Sequence, residues 1–393
     1  MTENGIKALY IINENNIMTP FCANDLTQYN NGQKIHAQTL NSVAKEGFLE
    51  KLGGSPVMYQ VVDGFKELYF AFKQGDEKGQ DNSNLVAARK NKNDEFYTLY
   101  NDIEEECSKF RKYFKGKTIY LPCDDPANKK SEFWSYFVDN FDAFGLKKLI
   151  ATHYEEDGSP AYKIWIEDDT NGDGFIDDGD ALQEDLKGDG DFRSEECTKI
   201  LEESDIVITN PPFSLFREFV SWILKADKKF LIIGNQNAIT YKEFFPLIKD
   251  NKVWPGYTFN KTKEFIMSDD YELKGKAFID ENNKKHGFVA AICWFTNLPT
   301  NKRTEELILT KKYDPALYPK YDDYDAIEVN RVVNIPMDYD GIMGVPITFI
   351  DKYNPKQFEI IWLDGTDTSK WYGRGPSLEG KIKYRRIFIQ RKK

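Results

Sequence analysis

Thr209-Asn210-Pro211-Pro212-Phe213 puts a carboxamide, two prolines and an aromatic ring next to one another. That set suits the handling of a planar amino group. An exocyclic NH2 on an aromatic ring is a poor nucleophile because its lone pair is delocalised into the ring. The side-chain oxygen of Asn210 and the main-chain carbonyl of Pro211 can each accept one of its N–H bonds. The nitrogen is then drawn toward tetrahedral geometry and its lone pair is aimed at a sulfonium methyl. Such catalysis is positioning and directed dipoles, with no strong base required. Pro211 and Pro212 fix φ and supply no N–H, which stiffens the loop and leaves its carbonyls pointing outward. Phe213 offers a flat face for a base taken out of its stack. The plainer alternative is a rigid strand-to-helix turn without chemistry.

The elements that must hold this loop are legible on both sides. The apolar run 205–208 reads as a buried strand, and 215–224 has helical apolar spacing. Further strands are expected over 118–121, 148–152, 229–235 and 288–295, with helices over 103–114, 132–141, 195–203 and 241–248. This alternation from about 86 to 298 predicts an α/β, doubly wound, Rossmann-like sheet. In such a sheet ligands bind at the carboxyl ends of the strands. Strand 118–121 runs into Cys123-Asp124-Asp125-Pro126, so Asp124 and Asp125 are expected at that crevice. There is no Gly-rich turn, but a ligand without pyrophosphate needs none. A carboxylate there suits a cationic amino acid group. Asp191 and Phe192, in Gly190-Asp191-Phe192-Arg193-Ser194, suit an adenine amino group and ring; a Gly-rich turn with a Ser N-cap is the equal alternative.

The 393 residues allow two domains or one catalytic domain with additions, and the 40% hydrophobic content allows a proper core. A formal net charge of −11 disfavours nucleic acid on average, although phosphate contacts need only a local basic face. Five scattered cysteines predict a reduced, cytoplasmic protein with neither a disulfide frame nor a zinc cluster. No apolar run has the length of a membrane span and the N-terminus is no signal peptide. Residues 1–85 read as an N-terminal extension, with a helix over 38–52, a strand-like run over 57–72 and a linker over 74–83. His36 reads as a surface or core histidine.

Segment 169–180 carries oxygen groups at the first, third, fifth and ninth positions of an EF-type loop, with Gly174 at the sixth. Its last position is Asp180, shorter than the usual Glu, and its upstream flank is strand-like. A calcium site and a solvated acidic hairpin tip both remain open. Residues 299–393 form a region richer in tyrosine and proline. Its basic tail, 381–393, is expected as an edge strand with one charged face, suited to phosphate contact or to solubility.

Asn93-Asp94-Glu95-Phe96-Tyr97-Thr98, Cys123-Asp124-Asp125-Pro126, Gly190-Asp191-Phe192-Arg193-Ser194 and Thr209-Asn210-Pro211-Pro212-Phe213-Ser214-Leu215-Phe216-Arg217 together resemble the EcoRI-type adenine-specific DNA methyltransferases. So do Ile232-Ile233-Gly234-Asn235 and Met343-Gly344-Val345-Pro346-Ile347-Thr348-Phe349. The resemblance covers roughly 86–393. It implies a methyltransferase core over 86–298, target recognition over 299–393, S-adenosylmethionine as donor, and adenine N6 in double-stranded DNA as acceptor. It implies catalytic roles for Asn210, Pro211, Pro212 and Phe213. Phe96, Tyr97 and Thr98 would close over the methionine end of the cofactor, with Thr98 bonding its carboxylate. Asp124, Asp125, Asp191 and Phe192 would complete the cofactor site, without a metal. Also implied are a monomer and a restriction endonuclease that acts on the same site without direct binding. Asn-Pro-Pro-aromatic loops also serve RNA adenine and protein glutamine, so those acceptors are the alternative. A DNA-binding module without activity is a third reading, disfavoured by the intact loop.

Overall fold

The computed structural model describes residues 8–62 (except 10, 14, 16, 18, 27–34, 46, 47 and 55), 96–124, 131–155, 159–268, 271–273, 275–364 and 376–392. Asp125, the expected linker over 74–83 and residues 93–95 lie outside the described residues.

The chain divides into two units, Met1–Asp94 and Glu95–Lys393. In the first, β1 (Phe21–Cys22), β2 (Leu49–Gly53) and β3 (Met58–Val61) form an antiparallel sheet in the order β1-β3-β2, accompanied by helix α1 (Ala37–Lys45). Leu9, Ile12, Leu26, Leu40, Val43 and Tyr59 are fully buried and make its core. The helix expected over 38–52 therefore ends at Lys45. Leu49 pairs with Val61 and Glu50 with Gln60, and this tertiary pairing overrides a helix-compatible local pattern.

The second unit is built on a large sheet. Its strands in chain order are β4 (Phe96–Thr98), β5 (Thr118–Leu121), β6 (Lys148–His153), β7 (Tyr162–Ile166), β8 (Leu182–Asp185), β9 (Ile206–Thr209), β10 (Lys229–Asn235), β11 (Trp254–Pro255), β12 (Lys261–Met267), β13 (Phe278–Ile279) and β14 (Lys285–Thr296). The spatial order is β4-β12-β14-β10-β9-β5-β6-β7-β8, with β11 and β13 also on β14. Helices α2 (Tyr100–Cys107), α3 (Phe133–Asp139), α4 (Glu195–Glu203), α5 (Phe216–Lys225) and α6 (Phe245–Lys249) connect them.

Among the described residues of this sheet, only the central strands β6, β5, β9 and β10 run parallel. The expected α/β sheet is therefore mixed: β7 and β14, which flank the parallel set, are antiparallel to it. Few residues separate β6 from β7, too few for a helical crossover, so the chain must turn straight back.

A second sheet follows, made of β15 (Ala326–Glu328), β16 (Ile342–Pro346), β17 (Phe358–Leu363) and, after the short hairpin β18 (Ser377–Leu378) and β19 (Lys381–Ile382), β20 (Arg386–Arg391). Its order is β15-β16-β20-β17. The basic tail is therefore no edge strand: β20 lies between β16 and β17, and Ile387, Phe388 and Ile389 are all fully buried. Both faces of β20 are covered, so the apolar residues run consecutively instead of alternating with cations. Arg386 is buried as well, and donates from Nη2 to Glu328 Oε1 at 2.6 Å and from Nε to Oε2 at 3.1 Å. Phe219, Phe230 and Ile232 share one core with Val345, Phe349, Ile387 and Ile389, so the chain after residue 298 folds onto the same hydrophobic interior as the parallel strands.

Candidate active site

Strand β9 is buried along its whole length and sits between β5 and β10 at the middle of the sheet. Its carboxyl end delivers Asn210-Pro211-Pro212-Phe213, the place where a sheet of this kind receives ligands. The loop closes into α5 through Leu215 N–H, which donates to the Pro212 carbonyl at 3.0 Å. Gly234, on the adjoining β10, gives α5 room: a Cβ there would meet Phe216 Cε2 at 2.6 Å.

Asn210 is half-buried. Its Nδ2 donates to the main-chain oxygen of Phe96. Its Oδ1 is shielded from solvent and has no hydrogen-bond partner among the described residues. Because the Phe96 carbonyl can only accept, the NH2 must face it and the oxygen must face away. A buried acceptor left unpaired costs about 1–3 kcal/mol, and such an orphan calls for a functional reason.

Phe96, Tyr97 and Thr98 form β4, an added strand on the rim of the sheet, antiparallel to β12 through Phe96↔Met267, Tyr97↔Ile266 and Thr98↔Phe265. All three are buried. The next helix, α2, is pinned by Glu106, whose buried carboxylate accepts from Tyr257 N–H at 2.6 Å and Thr258 N–H at 2.7 Å. Burial pushes the Glu106 carboxyl up from its ordinary range, against those two hydrogen bonds. Thr98 Oγ1 is a second buried polar atom without a partner among the described residues. The Phe96 ring packs on Phe213 with centroids 5.5 Å apart and on Phe265 at 5.9 Å. The aromatic of the loop and the first aromatic of β4 therefore meet directly.

Asp124 is 3% exposed. It accepts from Ser131 Oγ at 2.6 Å, from Thr209 Oγ1, and from Asn210 N–H at 3.2 Å. Asp191 is bound by Arg193, which reaches it from Nη2 at 2.6 Å and Nε at 2.9 Å and also from its main-chain N–H at 2.8 Å. The hydrogen bonds from Arg193 hold its carboxyl below the usual range, so it is a charged acceptor. Phe192 is buried against Phe219 and Trp222, with centroids 5.0 and 5.3 Å away. The turn carrying both is seated at the end of β6: a Cβ on Gly190, whose φ is +78°, would lie 2.3 Å from the His153 carbonyl oxygen.

The sequence reading placed the 210–213 loop and Asp191-Phe192 at strand ends, but it took Phe96, Tyr97 and Thr98 as the lead into a helix where the structure has β4. It missed Thr209 Oγ1 and Ser131 Oγ as partners of Asp124, although Thr209 stands inside the quoted motif. It also missed Gln236, a buried side chain just beyond β10 whose Oε1 has no partner among the described residues.

The 169–180 segment is the tip of the β7–β8 hairpin. Asp180 turns inward, accepting from the main-chain N–H groups of Thr170 at 2.7 Å, Asn171 at 3.1 Å and Asp177 at 3.1 Å. Among the described residues no group of three or more His, Cys, Asp or Glu is arranged to hold a metal ion. Nor is any described helix long and apolar enough to cross a membrane.

Residues 84–392 match the family described as adenine-specific methyltransferase EcoRI. The chain is 47% identical over 325 residues to the Type II methyltransferase M.EcoRI of Escherichia coli, which covers 79% of this chain and 97% of that protein. It is 39% identical over 322 residues to the Type II methyltransferase M.MgeORF184P of Mycoplasma genitalium, covering 77% and 97% respectively. With the Type II methyltransferase M.MpnI of Mycoplasma pneumoniae the identity is 37% over 323 residues, covering 78% and 97%. No solved structure matches it.

Proposed function

This chain belongs to the EcoRI family of adenine-specific methyltransferases, and from that premise we propose that it methylates the N6 amino group of an adenine extruded from duplex DNA. It is a type II adenine-specific DNA methyltransferase, the modifying half of a restriction-modification system. The observation that carries the reading is the buried, unpaired Oδ1 of Asn210 at the carboxyl end of β9. An adenine N6–H supplies the donor that this oxygen lacks, and the Pro211 carbonyl takes the second N–H. The carboxamide is already oriented by the Phe96 carbonyl, so little reorganisation remains when the amine arrives. Phe213 provides the face on which the extruded base stacks.

The family uses S-adenosylmethionine, which supplies an electrophilic methyl on a sulfonium centre. The residues present fit that group. The partnerless Thr98 hydroxyl suits its carboxylate, and Phe96 and Tyr97 line the same strand. Asp191, kept ionised by Arg193, accepts from the cofactor's adenine amino group, and Phe192 backs the ring. For the DNA backbone, Lys381 and Lys392 are exposed cations. Arg385 donates to the Thr240 carbonyl just beyond β10, which ties the basic segment to the carboxyl end of the sheet. Such cations supply the salt-dependent share of affinity.

The test is transfer of labelled methyl from the cofactor to duplex DNA, RNA and protein in parallel. Label is expected in N6-methyladenine of duplex DNA; label confined to RNA or protein overturns the reading.

A further inference from the structure

We propose that Asp124 is a positioning residue for the 210–213 loop that receives the adenine amine, a clamp between β5 and β9 and not a cofactor contact. The inference rests on the assignment of Asn210 as the acceptor of the adenine amine.

Asp124 follows β5, which pairs with β9 in parallel through Ile119↔Ile206 and Tyr120↔Val207. From there its carboxylate reaches across to the end of the neighbouring strand. One oxygen accepts from Ser131 Oγ at 2.6 Å. The other accepts from the Thr209 hydroxyl and, at 3.2 Å, from the Asn210 N–H. Pro211 and Pro212 have no N–H, so the Asn210 amide is the last main-chain donor before Phe213 by which the loop can be tied to the sheet. A carboxylate is the group that two oxygens' worth of converging donors require. A carboxamide would turn an NH2 toward one set of them. The clamp holds the loop's main chain while the Phe96 carbonyl holds the Asn210 side chain. Together they leave Oδ1 as the free acceptor.

The experiment uses the full chain with the substitutions Asp124→Asn, Thr209→Val and Thr209→Ser. Single-turnover methyl transfer to duplex DNA is measured at saturating S-adenosylmethionine, alongside the equilibrium Kd for that cofactor. A misplaced reacting group loses roughly 100-fold, and Asp124→Asn is expected to lose about that factor in rate with cofactor Kd unchanged within about threefold. Thr209→Val is expected to slow transfer about tenfold, and Thr209→Ser, which keeps the hydroxyl, to restore it. In the double variant Asp124→Asn/Thr209→Val the losses do not multiply, because both break one contact. A wild-type rate at saturation with a raised cofactor Kd would make Asp124 a cofactor ligand and overturn the clamp. Wild-type rate and Kd together would overturn it too. Should Asp124→Asn fail to fold, the Thr209 pair decides: equal rates for Thr209→Val and Thr209→Ser refute the proposal. If the unsubstituted chain transfers no methyl to adenine, the reading on which the clamp rests falls, and the clamp with it.

Discussion

The carboxamide nitrogen of Asn210 donates to the main-chain oxygen of Phe96, a residue 114 positions earlier in the chain. The rim strand β4 and the central strand β9 thereby meet at one side chain. Asn210→Asp keeps the shape but replaces the donor with a carboxylate oxygen facing a carbonyl. Transfer is expected to fall steeply at neutral pH. The ratio of variant to wild-type rate should then rise between about pH 8 and pH 5, as a fraction of the carboxyl regains a proton to donate. A ratio independent of pH counts against the Phe96 contact as the orienting bond.

Thr98 makes a contrasting case, because its buried hydroxyl has no partner. Thr98→Val removes an unsatisfied group at nearly constant volume, so unfolding free energy should stay level or rise slightly. The missing bond to a charged carboxylate should weaken S-adenosylmethionine binding by about 1.5–3 kcal/mol, roughly 10- to 100-fold. Calorimetric titration and denaturant melts read the two effects separately. Lost stability with unchanged affinity would show the hydroxyl to be structural.

Arg386 and Glu328 form a buried two-point pair in the second sheet. Arg386→Met strands a carboxylate in the interior and should cost about 3–5 kcal/mol in denaturant unfolding. Arg386→Met with Glu328→Gln should recover part of that loss. A loss below about 1 kcal/mol, the range of an exposed pair, would mean that the site is wet.

Glu105 answers to acid. Hydrogen bonds from Lys261 and then Lys263 lower its carboxyl from 4.5 to about 2. Because the folded value lies below the unfolded one, its stabilisation is complete above about pH 4.5 and is lost as pH falls toward 2. The stability gap between wild type and Glu105→Gln should therefore narrow over that window, seen in melts taken at successive pH. The side chain is partly exposed, so added salt should shrink the gap at every pH. A gap that stays constant through the window would show that the ion pairs contribute nothing.

What local pattern can encode was readable. Strands β5, β6, β9 and β10 are short apolar runs between turns, and the Asn-Pro-Pro-Phe loop declares itself by composition. What depends on distant partners was not. The three residues Phe96, Tyr97 and Thr98 look like the approach to a helix, and become a strand only because Met267, Ile266 and Phe265 lie alongside. Arg386 reads as a surface cation until Glu328 is found beside it. Asp124 reads as a ligand-facing acid at a strand tip, and the donors that occupy it include Thr209 and Asn210, 85 and 86 positions away. No spacing rule reports contacts across such separations.

The claim beneath all of this is that the Asn210 Oδ1 accepts an N–H from the adenine amine. Single-turnover N6 methylation by Asn210→Ala, set beside its equilibrium affinity for S-adenosylmethionine, tests it most directly. Loss of one aligned acceptor in a shielded site predicts a rate lower by about 10²–10³ or more, with affinity within a few-fold of wild type. An unimpaired rate, or a cofactor affinity that falls as far as the rate does, would contradict it.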